Sequence, residues 1–366
     1  MTLQIISMLI FIIVFGLLIF VHELGHFVAA RRCGIMVEEF ALGMGPKIFS
    51  WQPGETLYSI RLLPLGGFCS MQGMEEADDS ERSFNNKSIL QRMSVILAGS
   101  AMNLVLALII FSIGALTSGF ATTTIDTVIP GSPAESAGLL PGDRITRIDG
   151  SGVTLYEDVL IAIRGSTAET ITVDIVRDGV SRHIQVAPDL NNGNRWIGVS
   201  PVARLGAFQA ERDGLERAGV LESVATGANE MVFLIRQTFT AIGQLVTGRA
   251  SMDTMTGFIG IFGIIDNNLQ NTVATSEVME RTTSETLVSL LRSNMMFAGI
   301  LSAAIGIFNL LPFPALDGGR FVFLMLEGVR RKPIKPETEG TIHFVGFAML
   351  MVLAVFIAYR DVIRLL

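Results

Sequence analysis

The chain has 366 residues, of which 50% are hydrophobic and 17% charged, and its mean hydropathy is +0.52. Soluble domains carry about 25% charged residues, so this composition points to the membrane and excludes a disordered chain. A net charge of −7 speaks against a nucleic-acid partner, and two cysteines, Cys33 and Cys69, build neither a disulfide framework nor a Cys-x-x-Cys zinc knuckle.

A helical span takes about 20 apolar residues. Residues 1–21 form the first such stretch, and Phe27-Val28-Ala29-Ala30 extends it to Arg31. No positive charge precedes it, whereas Arg31 and Arg32 follow it. It therefore reads as a retained span (residues 1–30) with its N-terminus outside, not as a cleaved signal peptide. Residues 31–92 follow as a cytoplasmic segment, and 93–117 as the second span.

Residues 121–200 read as a small β-rich domain. Strand-like alternation over 122–129 is followed by a helical pattern at 156–164, and strands at 170–176 and 182–186 flank the turn Arg177-Asp178-Gly179. Its run Gly131-Ser-Pro-Ala-Glu-Ser-Ala-Gly-Leu-Leu-Pro-Gly-Asp143, continuing to Ile148-Asp149-Gly150, resembles bacterial PDZ domains. Such domains take extended peptides or chain termini at a sheet edge. Residues 201–292 carry no clear motif; 231–245 reads either as an amphipathic helix near the membrane or as an ordinary helix packed on the PDZ-like domain, and the apolar run 254–265 is too short to cross, so it reads as interfacial or re-entrant.

The third span is 293–316, the loop 317–339 follows, and 340–359 is the fourth span. All four lysines (Lys47, Lys87, Lys332, Lys335) fall within 28–92 and 317–339. The positive-inside rule then puts those segments in the cytoplasm, with both termini and the insert 118–292 outside. The fold class is a polytopic α-helical membrane protein with four transmembrane helices and an inserted α+β domain.

His22-Glu23-Leu24-Gly25-His26 is an H-E-x-x-H motif within the first span. At i and i+4 both imidazoles share one helix face and can take one Zn2+, with Glu23 beside it as general base for water. Ionisable groups in a span cost about 2.5–3.5 kcal/mol each on insertion scales, a cost that a metal site offsets. Catalytic zinc takes three protein ligands. His183 lies in the insert and His343 opens the fourth span without a partner motif, so Asp317 is the better third candidate. It sits at the inner end of the third span in Asn309-Leu-Leu-Pro-Phe-Pro-Ala-Leu-Asp-Gly-Gly319, where two prolines break the helix.

These two motifs together, with the PDZ-like insert between them, give a chain that resembles the site-2 protease family of intramembrane zinc metalloproteases. It is most similar to the bacterial regulator-of-sigma-E protease group, over nearly its whole length. The resemblance implies that His22, His26 and Asp317 hold Zn2+, that Glu23 is the catalytic base, and that Asn309 helps hold the substrate strand. It also implies that 37–73, with Leu63-Pro-Leu-Gly-Gly-Phe68, is a membrane-associated β-hairpin, and that Phe84-Asn-Asn-Lys87, Arg92, Gly99 and Asn103 lead into the second span. Gly99-Ser100 replaces the family's usual Gly-Pro, Gly257-Phe258-Ile259-Gly260 replaces Gly-Pro-Ile-Gly, and one PDZ copy replaces two.

The function expected is regulated intramembrane proteolysis in the bacterial cytoplasmic (inner) membrane. Pre-trimmed, single-pass membrane proteins such as anti-sigma factors or signal-peptide remnants would be the substrates, and the lipid bilayer the medium. The PDZ domain would gate these substrates or tether their termini. A non-catalytic membrane-anchored PDZ adaptor with a structural metal site is the alternative, although structural zinc usually fills four protein positions. A metal transporter would want a ladder of acids through the other spans, which the chain lacks.

Overall fold

The computed structural model describes residues 2–74, 78–207, 209, 215–249, 257–279, 282–332, 334 and 336–365. In chain order the elements are α1 (Thr2–Arg32), β1 (Val37–Trp51), β2 (Leu57–Met71), α2 (Ile89–Ser118), β3 (Phe120–Val128), α3 (Pro133–Ser136) and β4 (Arg144–Ile148). Next come β5 (Ser151–Gly152), α4 (Tyr156–Gly165), β6 (Ile171–Arg177), β7 (Val180–Val186), β8 (Asp189–Asn191), β9 (Asn194–Trp196) and β10 (Val199–Arg204). The helices α5 (Val220–Val246), α6 (Phe258–Val278), α7 (Thr283–Asn309), α8 (Asp317–Arg330) and α9 (Pro336–Leu365) complete the chain. It divides into two compact units, Leu108–Leu234 and the remainder.

Among the described residues four helices are long and apolar enough to cross a membrane: Leu3–Arg32, Ile89–Ser118, Thr283–Asn309 and Thr338–Ile363. The helix limits differ from the spans read in the sequence, most at the third. The third helix starts at Thr283, not 293, because Thr282 and Glu285 form a capping box, and it ends at Asn309, not 316. Pro312 and Pro314 lack the N–H that a longer helix would need. The fourth apolar stretch lies inside the longer α9.

In the helical unit, β1 and β2 pair as an antiparallel ribbon. Its root is buried with α1, α2 and α8 through Ala30, Val37, Phe40, Val95, Ile96 and Leu324. Arg92 of α2 makes a two-pronged ion pair with Glu327 of α8, Nη1 to Oε2 at 3.0 Å. The apolar run expected at 254–265 is the start of α6 from Phe258 on; Thr254–Thr256 lie outside the described residues. Ile265 of α6 is buried against Phe11 and Phe15 of α1. Asp266 accepts from the Ser7 hydroxyl at 2.7 Å. Asp361 of α9 accepts from Gly257 N at 3.0 Å and Gly260 N at 2.9 Å, which satisfies backbone donors left open at the start of α6.

The second unit is an antiparallel sheet in the order β10-β3-β4-β6-β7, with β5 on β4. Asp149-Gly150 and Asp178-Gly179 adopt positive φ in pairs, the twist that two-residue hairpins require. Ile145, Ile148, Val173 and Ile175 point into a core closed by Val159 and Ile163 of α4. Asp143 is fully buried beside Arg177, which donates to both its oxygens at 2.6 Å. Burial alone would raise the Asp143 carboxyl, but the bonds from Arg177 and from Leu140 N–H outweigh it and hold it below the usual range.

Arg177→Met is expected to cost this unit about 3 kcal/mol at neutral pH, because it strands a buried carboxylate. A depressed carboxyl stabilises fully above its unfolded value, about 3.9, and loses that contribution as pH falls through the lower folded value. Amide exchange of β4 and β6 in the intact chain should therefore show a wide gap between wild type and variant at pH 7 that narrows below about pH 4. A gap independent of pH would remove Asp143 as the partner.

Candidate metal centre

The H-E-x-x-H motif lies in the last turns of α1, where the helix crosses α2 closely. A Cβ on Gly25 would fall 2.3 Å from Ala98 O, and one on Gly99 would fall 2.3 Å from His26 Nε2. Small residues at this crossing are what let two backbones approach in lipid. Val95, Gly99 and Asn103, four residues apart, form one stripe of α2 facing the histidines. Val95 O accepts from His26 Nδ1 at 2.8 Å, and Asn103 Nδ2 lies 3.4 Å from His22 Nδ1. Asn103 is itself fully buried, and its carbonyl accepts from Ser302 Oγ of α7 at 2.8 Å.

Asp317 is the first residue of α8 and reaches the same point from the other end of the sequence. His22 Nε2 and His26 Nε2 are 3.2 Å apart, and Asp317 Oδ2 lies 3.2 Å from the first and 3.3 Å from the second. Zinc–ligand bonds of about 2.0–2.1 Å in tetrahedral geometry put neighbouring donors about 3.3 Å apart, so this triangle has the size of one tetrahedral face. Both histidines are buried, and Asp317 Oδ2 is buried with no hydrogen-bond donor. Because Val95 O is an acceptor, His26 carries its proton on Nδ1 and turns a bare Nε2 lone pair towards the triangle. Donor set and spacing fit zinc. Among the described residues no other three His, Cys, Asp or Glu side chains meet this way.

The remaining sequence candidates lie elsewhere. His183 pairs with Asp174 on the β-sheet, Nδ1 to Oδ1 at 2.7 Å. His343 takes the Ala315 N–H. The Asn309 amide donates back to Ile305 O of its own helix at 3.1 Å and makes no bond to the triangle. Glu23 is half-buried beside the Cys69 backbone amide of β2. Burial, and secondarily Glu23, push the Cys69 thiol up to about 12, so it stands as a neutral thiol and not as a thiolate donor.

The sequence reading named Asn103 but gave it no part in the site. The signal was available: an amide in the middle of an apolar span, four residues after a glycine, needs a buried partner. With Nδ2 turned to His22, Asn103 Oδ1 has none. Turning the amide over brings Oδ1 to His22 Nδ1–H and leaves the His22 Nε2 lone pair free, as on His26.

The sequence profile of peptidase family M50 matches residues 10–353. The chain belongs to peptidase family M50. Curated relatives include a Clostridium perfringens protein that is 36% identical over 96% of this chain and 97% of its own. The zinc metalloprotease RasP of Geobacillus kaustophilus is 32% identical, over 97% of both chains. The regulator of sigma-W protease RasP of Bacillus subtilis is 31% identical, over 97% of this chain and 98% of its own. Among solved structures, the PDZ domain of the SdrC-like protein from Listeria monocytogenes corresponds over 23% of this chain and 87% of that domain, at 19% identity and a TM-score of 0.20. This M50 chain is a multi-pass membrane protein with an inserted β-sheet unit, and its His22, His26 and Asp317 triangle fits Zn2+.

Asn103 gives the centre a direct test. Asn103→Leu removes the acceptor for His22 and is expected to weaken zinc about 10–100-fold, whereas Asn103→Asp retains an acceptor and keeps affinity near wild type. Competition with a chromophoric chelator measures both. Equal affinities in the two variants would rule out the bond.

Proposed function

We propose that the chain is an intramembrane zinc metalloendopeptidase that cuts the transmembrane segments of pre-trimmed, single-pass membrane proteins. The observation that carries this reading is the convergence of His22, His26 and Asp317 within a span crossing, with Glu23 on the same helix. Membership of a peptidase family and relatives named as zinc metalloproteases support it. A three-donor set suits catalytic zinc; an adaptor with structural zinc would want a fourth protein ligand.

In this reading His22, His26 and Asp317 hold the metal. Bound there, zinc supplies Lewis acidity that brings the pKa of water to about 7 and polarises a peptide carbonyl. Glu23 takes the proton of the attacking water and returns it to the departing amine. A substrate helix keeps its carbonyls hydrogen-bonded, so it has to unwind before attack. The ribbon β1–β2 offers an edge to which the unwound strand can pair, and Asn309, ahead of the Asp317 loop, steadies that strand.

The topology proposed is cytoplasmic for 28–92 and 317–339, with both termini and 118–292 on the outer side of a bacterial cytoplasmic membrane. Its support is the placement of all four lysines. The PDZ domain then screens substrates by the size or the terminus of their outer part; anti-sigma factors are the class that the family resemblance suggests, and the Bacillus subtilis relative is named a regulator of sigma-W protease.

Glu23→Gln is expected to cut turnover of a helical model substrate by about 10²–10⁴-fold while zinc content stays at the wild-type level. Near-normal turnover would remove Glu23 as the base. For the topology, Cys33 and Cys69 are first replaced by serine. A membrane-impermeant thiol reagent on intact cells should then label Ser166→Cys and miss Ser80→Cys. The opposite pattern would invert the chain.

A further inference from the structure

The last helix supplies no metal donor, yet it grips the segment that delivers Asp317. Helix α7 ends at Asn309 and α8 begins at Asp317, so residues 310–316 lead the chain into the carboxylate. Four of their N–H groups bond locally: Leu310 to Ile307 O, Leu311 to Phe308 O, Phe313 to Leu311 O and Leu316 to Phe313 O. Pro312 and Pro314 have no N–H. The remaining donor is Ala315, and it crosses to another span, donating to His343 Nδ1 of α9 at 2.8 Å.

Ala315 also has φ +77, a left-handed conformation that favours glycine and persists in other residues only where surroundings enforce it. One turn beyond His343, Gly346 packs on the preceding residue; a Cβ there would fall 2.4 Å from Pro314 Cβ and 2.6 Å from Pro314 O. The same face of α9 thus seats Pro314 and ties down Ala315.

We propose that His343 is a positioning residue for Asp317: by accepting the Ala315 N–H it fixes the strained loop that presents the carboxylate to His22 and His26. The inference rests on the reading of Asp317 as a metal ligand. Accepting at Nδ1 requires the tautomer protonated on Nε2, whose nearest acidic neighbour is Glu339 Oε1 at 3.7 Å. Without the acceptor, Ala315 relaxes towards negative φ, and Asp317, two residues on, moves off the triangle.

The test uses the full-length protein, with zinc affinity by chelator competition and the visible absorption of the Co2+-substituted form. Asparagine places Oδ1 near the position of Nδ1, whereas glutamine carries its oxygen one methylene farther. His343→Asn should bind zinc within about twofold of wild type and keep the Co2+ spectrum. His343→Gln should lose about 10–100-fold in affinity, with a spectrum shifted towards that of Asp317→Asn. Equal behaviour of the Asn and Gln variants, whether both weak or both normal, would overturn the proposal. If Asp317→Asn itself bound metal as wild type does, the metal-centre reading would fail instead. Should His343→Gln not accumulate, Gly346→Ala carries the test: it crowds Pro314 with His343 intact and should weaken zinc, and unchanged affinity there would overturn the proposal.

Discussion

Two imidazole nitrogens and a carboxylate oxygen, each presenting electron pairs, are held 3.2–3.3 Å apart in a buried place. Nothing in that triangle is attractive without a cation or a proton between the three. The bundle has to impose it, and much of its detail follows from doing so. Gly25 and Gly99 let α1 and α2 touch, which brings Val95 O within reach of one ring and Asn103 within reach of the other. Each bond on the far side of a ring turns the near nitrogen's lone pair towards the metal position and fixes the ring plane. The ion pair of Arg92 with Glu327 joins the helix that orients the rings to the helix that starts with Asp317. Breaking a buried pair of this kind costs about 3–5 kcal/mol.

The parts of this legible in the sequence are those written in local pattern. The four spans followed from uninterrupted apolar runs, and the hairpin turns of the β-sheet followed from Asp-Gly steps that accept positive φ in succession. His22 and His26 could be paired from their i, i+4 spacing alone. Asp317 needed more: its side of the membrane had to be inferred from charge, and its role came from a resemblance. Span limits were less legible, because apolar character does not say where hydrogen bonding begins or stops. Thr282 with Glu285 starts α7 well before the apolar run, and Pro312 ends it before that run is over.

Beyond the His22, His26 and Asp317 triangle, contacts between distant segments were not legible. Asn103 stands out as an amide in an apolar helix, but nothing local says that its partner is a histidine eighty-one residues earlier. His343 was set aside because it lacked a neighbouring donor motif, yet its partner is a backbone N–H. Main-chain groups such as Val95 O and Ala315 N carry no residue signature. A sequence reading that counts only side chains misses such main-chain contacts to His26 and His343.

The division of labour among the helices explains how a β-sheet unit can be inserted in the sequence between the two halves of the triangle. His22, Glu23 and His26 are preorganised on one helix, and Asp317 arrives hundreds of residues later, so the triangle closes only when the bundle does. Closing a longer loop costs little: each doubling of its length adds about 0.6 kcal/mol. Insert length is therefore nearly free in chain entropy. Residues 310–316 have no such latitude. They are short and end on the ligand, with the Ala315 N–H tied across to His343, so a backbone shift there reaches the carboxylate directly. Sensitivity to change here follows contact with residues 310–316 and with the α1–α2 crossing, whichever part of the chain supplies that contact.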